Sequence, residues 1–211
     1  MKFLNYDRVL CISAHPDDVE YGMLGSMLKF NDTEFFVMVL SNGGDFDNTT
    51  STSRLNENET IWSGIDNVNG IFLLNSKSDG KHVKDYVEDE LIMEIEKYNK
   101  PGIDCIFVPP LEDSHFEHRM VHHLAPALAR KKKLGIVTYK TPSTLDTWTS
   151  NLMIDVTYQL KEKMRFLKYF KSQQNQSYFD TDSISTFHSD YQCTKRKIKY
   201  VEAYRIEKIY E

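Results

Sequence analysis

The chain has 211 residues, 40% hydrophobic and 27% charged, a length that suits one domain and a composition that excludes global disorder. Its 26 Lys and Arg against 31 Asp and Glu leave a net charge of −5, which argues against a nucleic-acid partner, because gripping phosphates requires a basic face. The longest apolar run, Phe35 to Leu40, falls far short of the ~20 residues of a membrane span. No apolar leader follows Met1, and three cysteines suit no disulfide framework. The expectation is a cytoplasmic protein with no membrane partner.

In chain order the pattern alternates strand and helix. Val9 to Ser13 is a short apolar run closed by a proline turn, and Asp18 to Phe30 places Val19, Met23, Met27 and Phe30 at helical spacing. Phe35 to Leu40 reads as a second strand, stopped by Ser41-Asn42-Gly43-Gly44, and the polar stretch Gly43 to Ser53 as a loop. Arg54 to Ile65 predicts a helix, Gly70 to Leu74 a third strand and Glu88 to Lys100 a helix. Ile103 to Val108 gives a fourth strand, Arg119 to Lys132 a helix and Ile136 to Tyr139 a fifth strand. Asn151 to Phe170 predicts the longest helix, with Leu152, Val156, Leu160, Met164 and Leu167 on its inner face, and Ile198 to Ile209 a last strand. Strands separated by helices imply right-handed βαβ units. The expected fold is therefore α/β, a Rossmann-like, mainly parallel sheet with helices on both faces, forming a single domain over residues 1–211.

Such sheets bind ligands beyond the carboxyl ends of their strands, where the strand order reverses, here between the first and fourth strands. After the first comes Ala14-His15-Pro16-Asp17-Asp18, with no glycine-rich dinucleotide fingerprint. Helix capping explains one aspartate well, but it leaves the histidine beside the pair unexplained. After the fourth strand comes His115-Phe116-Glu117-His118. Imidazole and carboxylate from two neighbouring strand ends make the donor set of a catalytic zinc site with an open position.

The string from Val9 to Leu28 resembles the opening of the PIG-L/LmbE-type N-acetylglucosaminyl deacetylases, whose signature is A-H-P-D-D followed by a glycine-containing helix. The second cluster resembles that family's H-x-D-H, with Glu117 in place of Asp. Further similarities run in order: Ser41 to Gly44, Arg54-Leu55-Asn56-Glu57, Ser63-Gly64-Ile65, Asp79-Gly80, Phe170 to Gln173, and Tyr200 to Tyr204. The resemblance implies a bound Zn2+ held by His15, Asp18 and His118, with iron as the alternative metal. It further implies Asp17 as general base and His115 as the group that assists the oxyanion or the leaving amine. Glu117, or else Asp113, would orient His115 and raise its pKa. Arg54 and Asp79 would contact sugar hydroxyls. The substrate implied is a small-molecule N-acetylated amino sugar or glycoconjugate of the N-acetylglucosamine type. A metal-dependent amidase acting on a non-sugar substrate, or a non-catalytic metal- or sugar-binding domain, shares these residues. His122, one turn beyond His118, and the lysines at 131–133 are expected to be structural and solvated, respectively.

Overall fold

The computed structural model describes residues 1–43, 51–73, 82–98, 102–130, 133–190, 193 and 196–209. The elements are β1 (Arg8–Ser13), α1 (Asp18–Lys29), β2 (Glu34–Val39), α2 (Ser51–Trp62), β3 (Val68–Phe72), α3 (Glu88–Tyr98), β4 (Cys105–Val108), α4 (Phe116–Arg130), β5 (Gly135–Tyr139), β6 (Leu152–Asp155), α5 (Leu160–Leu167), α6 (Thr181–Phe187) and β7 (Val201–Lys208). The seven strands form one sheet in the order β3-β2-β1-β4-β5-β7-β6. The first five run parallel, β7 is antiparallel to β5, and β6 is antiparallel to β7.

Alternation along the strands feeds two cores. Val9 and Cys11 of β1, with Phe35 and Val37 of β2, pack on the α1 and α5 side with Val19, Met23, Leu160 and Leu167. Leu10 and Ile12, with Phe36 and Met38, pack on the α3 and α4 side with Leu91, Ile95, Val121 and Leu124. A sheet buried on both faces explains why β1 and β2 read as continuous apolar runs.

The expected helix from Asn151 to Phe170 is corrected. Its first part is β6, which pairs Leu152 with Tyr204 and Ile154 with Glu202, and the helix begins only at Leu160. The i, i+4 spacing of apolar residues imitated a helix across a short half-buried strand. Between the two, the Thr157 N–H donates to Asp155 Oδ1 at 2.9 Å, a local turn bond that competes with helix. The short α6, capped by Asp180 through the Asp182 and Ser183 N–H groups, carried too little periodicity to be read.

Beneath α1 lies a sealed polar staple. Glu202 of β7, fully buried, accepts from the Gly25 and Ser26 N–H groups at 2.7 Å each and pairs with Lys163 Nζ at 2.6 Å. Tyr204 also donates to it. A Cβ on Gly25 would lie 2.9 Å from Glu202 Oε1, so glycine there lets α1 approach the sheet. This contact fixes the helix whose first turn carries Asp18.

Candidate active site

The β1 and β4 strands are neighbours, so the segments that follow them meet at one end of the sheet. Ala14 to Asp17 turns from β1 into α1, with Asp17 at φ 95°, a left-handed conformation that Asp tolerates better than most residues. Neither aspartate caps the helix. Asp17 makes no capping bond; its Oδ2 accepts from Arg54 Nη2 at 2.9 Å. Asp18 Oδ2 accepts from the His15 N–H at 2.9 Å, and Oδ1 lies 3.2 Å from His118 Nε2.

Both flanking histidines have a carboxylate behind them. His15 Nε2 lies 2.6 Å from Glu117 Oε2, and His118 Nδ1 lies 3.1 Å from Asp113 Oδ2. An ionised carboxylate only accepts, so each of those ring nitrogens carries the proton. When the rings are neutral, the lone pairs fall on His15 Nδ1 and His118 Nε2, the atoms nearest Asp18. Asp113 is itself held, accepting from Thr141 Oγ1 at 2.6 Å and from the His115 N–H at 2.7 Å. Thr141 arrives because the segments after β4 and β5 pair through Asp113 and Thr144.

These donors fit a tetrahedral metal. Bonds of ~2.1 Å place ligand atoms roughly 3.4 Å apart, and Asp18 oxygens lie 3.6 Å from His15 Nδ1 and 3.2 Å from His118 Nε2. Donor atoms of His15, His115 and His118 also fall within 4.8 Å of one another. Carboxylate, hydrogen-bonded imidazole and the burial of His15, Asp18 and His118 are features that suit a bound metal ion.

Electrostatics separate the groups. Burial pushes Asp17 up to about 6, against the pull of Arg54. Burial also opposes ionisation of Asp18, yet His118 and His15 hold it well below the usual carboxylate range. For His118, burial is outweighed by Asp18 and Asp113, which raise it to about 10. Glu117 is lowered to about 2, its burial outweighed by His15 and the Lys84 N–H.

Two expectations meet a different geometry. Neither the Glu117 nor the Asp113 carboxylate bonds the His115 ring; the Glu117 carboxylate sits on His15 and that of Asp113 on His118. His115 Nδ1 instead faces the Glu117 N–H at 3.3 Å, and burial with two neighbouring imidazoles lowers its pKa to about 4 rather than raising it. Arg54, expected against substrate hydroxyls, turns its donors onto Asp17, Pro16 O and Gly43 O.

The cleft around these groups has a cavity volume of about 540 Å³ and is lined by His15, Asp17, Asp18, Arg54, His115, Glu117 and His118 together. Lys84, Gln173 and Tyr178 line it too; no pattern in the sequence pointed to Lys84 or Tyr178, and Gln173 stood only in a short motif match. Asp79 lies outside the described residues, as do the lysines at 131–132 and most of the loop from Gly43 to Ser53. His122 turns away, its Nδ1 3.1 Å from Pro109 O.

Fold and site define a class: an α/β domain that gathers imidazole and carboxylate donors at the carboxyl end of a parallel sheet, as metal-dependent hydrolases of this architecture do. A family model described as PIG-L, GlcNAc-PI de-N-acetylase, matches residues 10–129. That is more than half of the chain, and the protein belongs to this family.

Solved structures agree on the fold. An N,N'-diacetylchitobiose deacetylase from Pyrococcus horikoshii is 22% identical with a TM-score of 0.67, covering 98% of this chain and 85% of that one. The A40926 pseudoaglycone deacetylase is 12% identical with a TM-score of 0.71, covering 98% and 100%. The 4-carboxy-2-hydroxymuconate hydratase from Pseudomonas putida is 15% identical with a TM-score of 0.74, covering 100% and 99%. No curated protein matches. Among the described residues no helix is long and apolar enough to cross a membrane.

Proposed function

We propose that the protein is a zinc-dependent N-deacetylase that removes the acetyl group from an N-acetylated amino sugar of the N-acetylglucosamine type, free or in a conjugate. The observation that carries this reading is the convergence of His15 Nδ1, Asp18 and His118 Nε2, each histidine backed by a carboxylate, beside the Asp17 carboxylate. Membership of the de-N-acetylase family supports it.

His15, Asp18 and His118 would hold the metal. A zinc ion bound there supplies a Lewis acid and brings the pKa of water toward ~7. Asp17, whose Oδ2 is pinned by Arg54, takes the proton from the water that attacks the amide carbonyl carbon. His115 is neutral at pH 7, and with Nδ1 facing the Glu117 N–H its proton lies on Nε2. It donates to the carbonyl oxygen as negative charge develops there. Asp17 then passes its proton to the nitrogen as the C–N bond breaks, giving acetate and the free amine.

The fold alone does not choose this chemistry, since a hydratase shares it. The test is acetate release from a panel of N-acetylated amino sugars by protein loaded with Zn2+. Release that disappears in His118→Ala is expected. A zinc-loaded, folded protein that hydrolyses a non-sugar N-acetyl amide while leaving every sugar intact would replace the sugar reading with the amidase one.

A further inference from the structure

One wall of the cleft comes from the turn Lys171–Gln173, beyond the matched residues 10–129. Glu57 on α2 holds this turn with both carboxylate oxygens: Oε1 accepts from the Ser172 N–H at 3.0 Å and Oε2 from Ser172 Oγ at 2.7 Å. The Ser172 hydroxyl proton is therefore committed to Glu57. Only lone pairs remain on Ser172 Oγ for the Gln173 amide 3.2 Å away, so the amide nitrogen must be the donor in that contact. The direction of the Gln173 side chain follows: NH2 toward Ser172, carbonyl oxygen away from it.

Gln173 is 7% exposed and lines the cleft. Among the described residues its Oε1 has no hydrogen-bond partner in the protein, yet it is not among the buried side-chain atoms sealed without one. It is an acceptor of fixed direction, unsealed, on a residue of the cleft lining. Lys84 lines the same cleft and carries a pure donor, so Gln173 supplies the complementary acceptor that a hydroxyl, donor and acceptor at once, requires.

We propose that Gln173 is a specificity-determining residue whose side-chain carbonyl accepts a hydrogen bond from one ring hydroxyl of the bound amino sugar, with Glu57 and Ser172 as positioning residues that set its direction. This rests on the sugar reading above, and the experiment separates the two. Binding by calorimetry and acetate release are both measured for an N-acetylated amino sugar and a set of monodeoxy analogues, each lacking one ring hydroxyl.

In the wild type one analogue is expected to bind about 5- to 10-fold more weakly than the parent, the worth of one good neutral hydrogen bond. Gln173→Met, similar in size without the acceptor, should bind the parent weaker by that factor and no longer distinguish that analogue. Ser172→Ala should lose part of the same discrimination and leave the other analogues unaffected, which a general loosening of the turn would not do. Full discrimination retained in Gln173→Met overturns the proposal, as does absence of binding by every sugar to the wild type. Binding that depends on Gln173 without acetate release upholds it and overturns the deacetylase reading instead. Where Gln173→Met does not fold, Ser172→Ala decides: unchanged discrimination there overturns the proposal.

Discussion

Replacing Glu117 tests whether the metal ligands are the two carboxylate-backed histidines. Its Oε2 lies 2.6 Å from His15 Nε2, both side chains are under one-tenth exposed, and Oε1 accepts the Lys84 N–H at 3.1 Å. Carboxylates behind metal-bound histidines typically contribute 10- to 100-fold to metal affinity, or about 1.4 to 2.7 kcal/mol. Glu117→Gln keeps an oxygen able to accept from His15 but loses the charge, so it should weaken Zn2+ binding by about 10-fold. Glu117→Ala removes both and should approach 100-fold. Glu117→Asp withdraws the carboxylate by one methylene and should fall between them. The assay is competition for Zn2+ against a chromophoric chelator at fixed pH, with circular dichroism to confirm the fold. His115→Ala belongs beside the series, because among the described residues the His115 ring has no carboxylate behind it, and the change should leave Zn2+ affinity nearly unchanged. Unaltered affinity in Glu117→Ala would refute the reasoning. So would a loss in His115→Ala as deep as in His118→Ala, which would make the three histidines the ligand set.

The pH dependence of metal binding follows from His118. In the metal-free protein burial is outweighed by Asp18 and Asp113, which hold its pKa at about 10. Zn2+ needs the neutral ring and must displace that proton at any lower pH, so affinity should rise as pH rises, about tenfold per unit between roughly pH 6 and 9. Calorimetry in two buffers that finds no proton release would contradict this. Asp17→Asn should keep its zinc and its fold while turnover falls by about 10²-fold or more; an unchanged rate with metal retained would remove Asp17 from the mechanism. Glu202→Gln leaves Lys163 buried without its charge partner, a change that costs about 3 to 5 kcal/mol. Thermal melting should then drop by about 6 to 20 °C, and adding Lys163→Met should recover part of it.

The parallel half of the fold was legible because its signals were local and redundant. β1 and β2 are buried on both faces and read as unbroken apolar runs, each ended by a polar turn. β6 was hidden because four residues, three half-buried and Met153 exposed, hold too little sequence to show their period, and Val156 and Leu160 continued a false helical stripe. At the site the donor types were visible in the two motifs, but the partners were not. Spacing places Glu117 beside His115 in sequence, whereas the bond runs to His15, 102 residues earlier. Nothing in the sequence announced that Arg54 would reach Asp17, because that contact depends on how α2 lies against the turn before α1. Gln173 belongs to the same category: its direction is set by Glu57, 115 residues before the serine it holds.

The departure from H-x-D-H gains a physical meaning from where α4 begins. The helix starts at Phe116 rather than at Arg119 as expected, so Glu117 and His118 both lie in its first turn. Successive helical side chains diverge by about 100°, so the two adjacent residues cannot serve the same neighbour. His118 is directed at Asp18 and Asp113, while Glu117 is directed at His15 and the Lys84 N–H. The second direction spans the gap between the β4 and β1 ends, and the additional methylene of glutamate extends its reach that way. Among the described residues, His115, preceding the helix, meets the Glu117 N–H with its Nδ1. A single turn thus sorts three neighbouring residues by geometry: one imidazole held between two carboxylates, one carboxylate that bonds the His15 ring, and one imidazole left neutral. On that division His115→Gln, which retains a donor, should preserve more turnover than His115→Ala, while neither changes zinc content. Equal turnover in the two variants, with metal retained in both, would show that His115 does not act as a hydrogen-bond donor.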